Sequence, residues 1–563
     1  MSSPITSTRS FEAFLAKIFL FAVVLAVMLV SERWLGGQVV TSQYDNARTG
    51  ADLTETKLTP SNVNPHGFGK VFTLKVDADV YAQPLYLPHL ELPSQGVHNV
   101  VFVATEHDSV YAFDADAPAA PLWQASFVNP SAGITPVPAR DVRCPFIRPE
   151  VGITSTPVID PETGTIYVLA RTKTGSGIWG GKYAQHLHAL DVKTGTEKFG
   201  GPVEVRASVT GTKYLLLHGA IDFDPQYENP RSGLALTNGK LYLTWASSCD
   251  VQPYYGWVMA YDAHSLAQLG VFNTAPDGQE SGIWQGDTAP AADSEGDLYV
   301  VTGNGSFNAA TGGHDYGDSV VKLNFAGKSL LASDYFTPHD QEQLNAHDKD
   351  LGSGGPMLLP DQPGPHPHLL VVTGKGGTVY VIDRDKMGKF HAGDDSHAVQ
   401  AIHAAPEEVF GAPAYWNGFV YYLFSMDSLK AFALDHGQLD PHPVAKADSA
   451  SAFIDPGSTP TISANGAQNG IVWALKSVTF MGRDEPAVLH AYDAVPRGGV
   501  LRELYNSERN SARDRVGIAL RFNIPTVANG HVYVGAKREV DVYGLLLAGG
   551  QAKRSPAKRG RTR

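Results

Sequence analysis

Asn238-Gly239-Lys240-Leu241-Tyr242, followed a little later by Met259-Ala260-Tyr261-Asp262, is the stretch that decides the fold. Asn-Gly ahead of aliphatic and aromatic residues is a hairpin signal, because both residues accept the positive φ that tight turns need. The phrase recurs along the chain. Copies stand at Thr163-Gly164-Thr165-Ile166-Tyr167, Glu295-Gly296-Asp297-Leu298-Tyr299, Asn417-Gly418-Phe419-Val420-Tyr421, Asn469-Gly470-Ile471-Val472-Trp473 and Asn529-Gly530-His531-Val532-Tyr533. The second half recurs too, as Tyr111-Ala112-Phe113-Asp114, His188-Ala189-Leu190-Asp191, Tyr380-Val381-Ile382-Asp383, Ala433-Leu434-Asp435 and His490-Ala491-Tyr492-Asp493. All-strand repeats of about 50 to 75 residues are the signature of propeller blades.

Each blade needs four antiparallel strands. The first reads Gln83 to Leu87, Val100 to Ala104, Ser109 to Asp114 and Leu122 to Phe127, and six more centre on Tyr167, Tyr242, Tyr299, Leu370, Tyr421 and Trp473. An eighth shows only three strands, Ile524 to Val527, Val532 to Gly535 and Val540 to Gly544, while a lone strand, Lys70 to Val76, precedes blade one. The expectation is an all-β, eight-bladed propeller whose N-terminal strand completes the last blade, leaving no free sheet edge. One domain spans residues 38–547, and the Asp that ends each third strand caps its own turn through local backbone hydrogen bonds.

Before that domain, Arg9 and Lys17 precede an apolar run from Ile18 to Val30, the length of a signal-peptide core and short for a spanning helix. Residues 1–37 therefore read as an export signal cut near Leu35-Gly36-Gly37, or as an uncleaved anchor through 18–30, and the protein as periplasmic or secreted. The net charge is −13, yet the 548–563 tail holds six Lys and Arg residues, so the body is near −19 once these are set aside. An acidic body argues against nucleic acid as partner, and the tail reads as a disordered basic end. The chain has two cysteines, Cys144 and Cys249. In an exported protein these are expected to pair, tying long loops of neighbouring blades.

Propellers bind ligands in loops near the axis, and the longest irregular stretches here, 129–152, 217–232, 304–318 and 337–355, are rich in His, Asp, Asn, Gly and Pro. Four motifs in order resemble the middle of quinoprotein alcohol dehydrogenases, exported eight-bladed propellers that hold pyrroloquinoline quinone (PQQ) and Ca²⁺. They are Ser281-Gly282-Ile283-Trp284, Val301-Thr302-Gly303-Asn304-Gly305, Asp334-Tyr335-Phe336-Thr337-Pro338-His339-Asp340 and Thr373-Gly374-Lys375-Gly376-Gly377-Thr378 running on to Arg384. The resemblance implies Trp284 as the floor under the quinone, Lys375 and Arg148 as cofactor contacts, Asn304 and Asp250 as calcium ligands, and Asp348 or Asp350 as catalytic base.

The departures are equally specific. Gln341-Glu342-Gln343-Leu344 replaces the family's Trp-Asp, so the base is displaced to Asp348 or Asp350 or is absent; Asp250 stands where a calcium-binding Glu is expected. The adjacent cysteine pair that caps the quinone in many relatives is missing, and no Cys-x-x-Cys-His for haem occurs. Two functions follow from this reading. One is a PQQ- and calcium-dependent oxidoreductase of alcohols or sugars, passing electrons to a separate acceptor. The other is a non-catalytic propeller that binds proteins of the cell envelope.

Overall fold

The computed structural model describes residues 37–175, 181–213, 217–404, 408–448, 453, 455–477 and 484–546. The export or anchor segment and the basic tail lie outside the described residues. What is described is all-β, with eight antiparallel blades around one axis. Blade one is Leu85–Leu92, Gly96–Thr105, Ser109–Asp114 and Trp123–Ser126. The later blades begin on inner strands Val158–Asp160, Ala235–Thr237, Ala291–Ala292, Met357–Leu358, Ala414–Trp416, Thr461–Asn465 and Thr526–Ala528. In the eighth sheet the fourth strand is Phe68–Lys75, antiparallel to Glu539–Leu545 with Phe68 opposite Leu545.

The repeated phrase has a physical explanation. The turn supplies the hairpin, and the Tyr two residues into the next strand reaches across to the neighbouring blade. Tyr167, Tyr421 and Tyr533 donate their hydroxyls to the carbonyls of Ala263, Ala494 and Ala115, each the residue after a strand-ending Asp. The last of these runs from blade eight to blade one. The Asp itself accepts the amide two residues on, as Asp114 does from Asp116 and Asp191 from Lys193. Middle strands such as Leu298–Val301 are buried throughout because both faces of every sheet pack on another sheet. Continuous apolar clusters link each neighbouring pair, including Tyr533, Val540 and Val542 of blade eight with Leu85, Tyr86 and Val101 of blade one.

Residues 39–55 are irregular except for a two-residue strand, Ala51–Asp52, parallel to Ile462–Ser463, yet they hold the ring together from the centre. This segment bonds the inner strands in turn: Val39 pairs with Tyr86, the Val40 carbonyl accepts from Ile159, and Asn46 donates to the Leu236 carbonyl. Asn46, Ala47, Thr49 and Gly50 then accept from Ala292, Leu358, Tyr415 and Ile462. Tyr44 and Glu55 finish the circuit by accepting the Val527 and Gly530 amides. At its centre the fully buried Arg48 donates to the Pro290, Ser42 and Asp45 carbonyls and the Thr41 hydroxyl, at 2.8–2.9 Å.

The long loops carry more structure than their composition suggests. Ile134–Pro138 and Glu150–Val151 extend the blade-two sheet, and Leu217–Asp222 pairs with Ser208–Lys213 as a separate hairpin. Gln341–Ala346 is a short helix, and it carries the chain on to Asp348 and Asp350.

Candidate functional site

The loops at one end of the axis enclose a cavity of about 700 Å³ lined by Trp284, Asp348, Asp350, Lys375, Asp250 and the cysteine pair, among others. Trp284 stands on the link between blades three and four. Its segment is pinned by Ile283 donating to the Trp245 carbonyl and by Gly303 donating to that of Gly282. At Gly303 a Cβ would lie 2.3 Å from Asp350 Oδ1 and 2.9 Å from the indole, so glycine is what lets the strand approach this closely. Tyr254 meets the indole edge-on at 6.1 Å, and the buried Nε1 of Trp284 has no partner among the described residues.

Beside it lies a compact charge cluster. Lys375 Nζ sits 2.6 Å from Asp350 Oδ2 and 2.9 Å from Asp348 Oδ1. Burial works against its ammonium, but Asp350 and then Asp348 outweigh this and hold its pKa above the ordinary value. Asp350 is engaged on both oxygens, because Oδ1 accepts the Asn304 amide at 2.8 Å. Asp348 differs: its side chain is 80% exposed, its Oδ1 takes both Lys375 and the Asn304 amide group, and Oδ2 makes no hydrogen bond among the described residues. Behind them Asp318, wholly buried, accepts from Leu351; burial, then the Asp350 charge, pushes its carboxyl well up. At the rim, desolvation followed by the same Asp350 charge raises Asp250.

Cys144 and Cys249 form a disulfide with Cα atoms 5.3 Å apart, and both line the cavity. The chain around it adopts the left-handed backbone region at several non-glycine residues: Cys249, Asp250, Gln285, Asp287, Asp348 and Phe522. Such residues cost free energy and concentrate at functional sites.

The structure thus brings Trp284, Asn304, Asp348, Asp350, Lys375 and Asp250 to one place. Arg148 is not among them. Phe146 and Ile147 turn into the axial cavity, and Arg148 follows on the other side of that loop, where it lines a neighbouring cavity with Asp79, Glu150 and Lys537. Two cationic residues that the sequence reading did not select do line the axial cavity: Arg231, at the end of one polar loop, and Arg521, before the first strand of blade eight. Nothing in their local sequence marks them.

The residues suit a planar quinone. Trp284 lines a cavity of sufficient size, its Nε1–H has no partner among the described residues, and Lys375, Arg231 and Arg521 line the same space. They do not suit calcium. Asn304 Oδ1 is buried and free, but the Lys375 ammonium already sits on both neighbouring carboxylates, Asp350 and Asp348, and among the described residues no three His, Cys, Asp or Glu side chains gather to hold a metal.

Two solved structures share this architecture. A quinohemoprotein alcohol dehydrogenase of Pseudomonas putida superposes with a TM-score of 0.57 at 16% identity, over 93% of this chain and 82% of its own. A europium-containing methanol dehydrogenase gives 0.53 at 14% identity, over 90% of this chain and 98% of its own. At such identities the likeness is one of fold. No family model and no curated protein matches the chain.

Proposed function

We propose that the protein is an exported oxidoreductase that binds PQQ in the axial cavity and oxidises the hydroxyl of an alcohol or sugar. The observation that carries this reading is that Trp284 and Lys375 line one cavity, with a carboxylate, Asp348, left open to the same space. Bound PQQ would supply a two-electron acceptor. The residues divide the remaining work. Trp284 stacks under the ring system, and Lys375 puts a fixed positive charge where negative charge develops on reduction. Asp348 Oδ2 accepts the substrate hydroxyl proton, while Asp350 holds Lys375 and Asn304 in place. No step here runs through calcium. Electrons leave to a separate carrier, because the chain contains no haem-attachment motif.

The test is a calorimetric titration of PQQ into the mature protein, with and without Ca²⁺, beside Trp284→Ala. Saturable binding, one per chain, weakened about tenfold or more in the variant, is the expected result for loss of a stacked aromatic contact. Absence of binding at high micromolar PQQ would end the enzyme reading and leave the cavity rim, where Phe146 and Met426 are exposed, as a surface for an envelope protein.

A further inference from the structure

The geometry points to a carboxylate-binding site at the inner wall of the cavity, formed by Arg231 and Arg521 around the ring of Phe522. The Arg231 guanidinium lies 4.2 Å from the Phe522 ring centre, and that of Arg521 lies 5.1 Å from the same ring and 4.9 Å from Phe146. Both side chains are 12% exposed and both line the cavity. Each has one carboxylate nearby, Asp287 at 3.2 Å from Arg231 and Asp455 at 3.7 Å from Arg521. Neither guanidinium makes a hydrogen bond within the described protein; Arg521 Nε and both Asp287 oxygens are buried without a partner.

That arrangement is costly for a purely structural pair. Both guanidinium groups are largely withdrawn from water, Arg521 Nε is buried with no acceptor, and two like charges share one ring. Burial, then Arg231, lowers the pKa of Arg521. A structural ion pair would close into the bidentate fork that a guanidinium forms with a carboxylate, and these two do not. A ligand carboxylate entering the cavity would supply the missing acceptor, and the apolar part of the ligand would lie against Phe146, Phe410 and Phe522. The ligand is therefore an organic acid with a flat or apolar body. Its carboxylate belongs either to the quinone or to a hydroxy-acid substrate; only the first source rests on the function proposed above.

The experiment uses the full-length, disulfide-bonded protein and two probes at fixed ionic strength: PQQ, and isophthalate, a planar aromatic dicarboxylate, with neutral isophthalamide as control. Isophthalate is expected to bind the wild type saturably and isophthalamide not, and Arg231→Gln and Arg521→Gln each to weaken isophthalate at least about tenfold, the worth of one charge-assisted hydrogen bond. Arg521→Lys, which keeps the charge but not the fork, should fall between. If isophthalate displaces PQQ and the glutamine variants lose PQQ affinity, the carboxylate is the quinone's. If isophthalate binds beside PQQ and PQQ affinity is unchanged, it is the substrate's. Isophthalate binding without PQQ binding supports this site and refutes the quinone. Failure of the wild type to bind isophthalate, with PQQ affinity equal in all variants, overturns the proposal, and that wild-type measurement stands even if a variant does not fold.

Discussion

Replacing Arg48 by Met should destabilise the whole ring, although the residue lies in a largely irregular segment. Its guanidinium is fully buried and serves four acceptors, the Pro290, Ser42 and Asp45 carbonyls and the Thr41 hydroxyl. Met fills much of the same volume and leaves three of them without a donor, since the Asp45 carbonyl keeps the backbone amide of residue 48. At about 1 kcal/mol for each buried unsatisfied acceptor, the loss is about 3 kcal/mol, at the lower end of the ~3–5 kcal/mol expected for breaking a buried charged network. The neighbouring Asp45 carboxylate also loses its compensating cation. Unfolding entropy of roughly 2.1 cal/mol/K per residue over about 510 residues gives about 1.1 kcal/mol/K, so the expected fall in melting temperature is about 3 °C. Differential scanning calorimetry reads this directly, and urea unfolding followed by tryptophan fluorescence checks it. Arg206→Met is the control, since that arginine is an exposed partner of Glu204 and should shift stability by no more than about 0.5 kcal/mol. An Arg48→Met shift no larger than the control's would refute the view that residues 39–55 tie the blades together.

Two further outcomes follow from buried groups near the cavity. Burial, against hydrogen bonds from Gly152 and Thr154, raises the carboxyl of Glu106 from 4.5 to about 8. Its proton is thus bound more tightly in the folded state; that stability is fully present below pH 4.5 and is lost as pH rises toward 8. The wild type should lose more stability than Glu106→Gln between pH 5 and pH 8.5, and parallel urea midpoints for the two would count against the buried neutral acid. The Cys144–Cys249 bridge closes a loop with a sequence separation of 105. In the chain-entropy picture this is worth about 4.7 kcal/mol. Reduction should lower the unfolding midpoint of the wild type and leave Cys144→Ser unmoved, and an equal response in both would show the bridge to be energetically idle.

The sequence alone determined the blades, because their signals are local. A Gly-containing turn, alternating strand residues and an Asp-capped turn are all written within about twenty residues, and the Tyr that reaches the next blade sits at a fixed place in that phrase. Trp284, Asn304, Asp348, Asp350 and Lys375 are legible through four ordered motifs that resemble the quinoprotein alcohol dehydrogenases, and the fold gathers them at one cavity. Tertiary structure decided the rest. Asp348 and Asp350 are indistinguishable as letters, and only packing leaves one open while enclosing the other between Lys375 and Asn304. Arg148 turned away because the direction of a side chain on an irregular loop is set by what its neighbours bury. Arg231 and Arg521, from distant parts of the chain, both approach one phenylalanine ring. Residues 39–55 carry no periodicity because their hydrogen bonds go to eight blades in succession rather than to one neighbouring strand. Contacts of that kind depend on the closed ring, and no local pattern of residues encodes them.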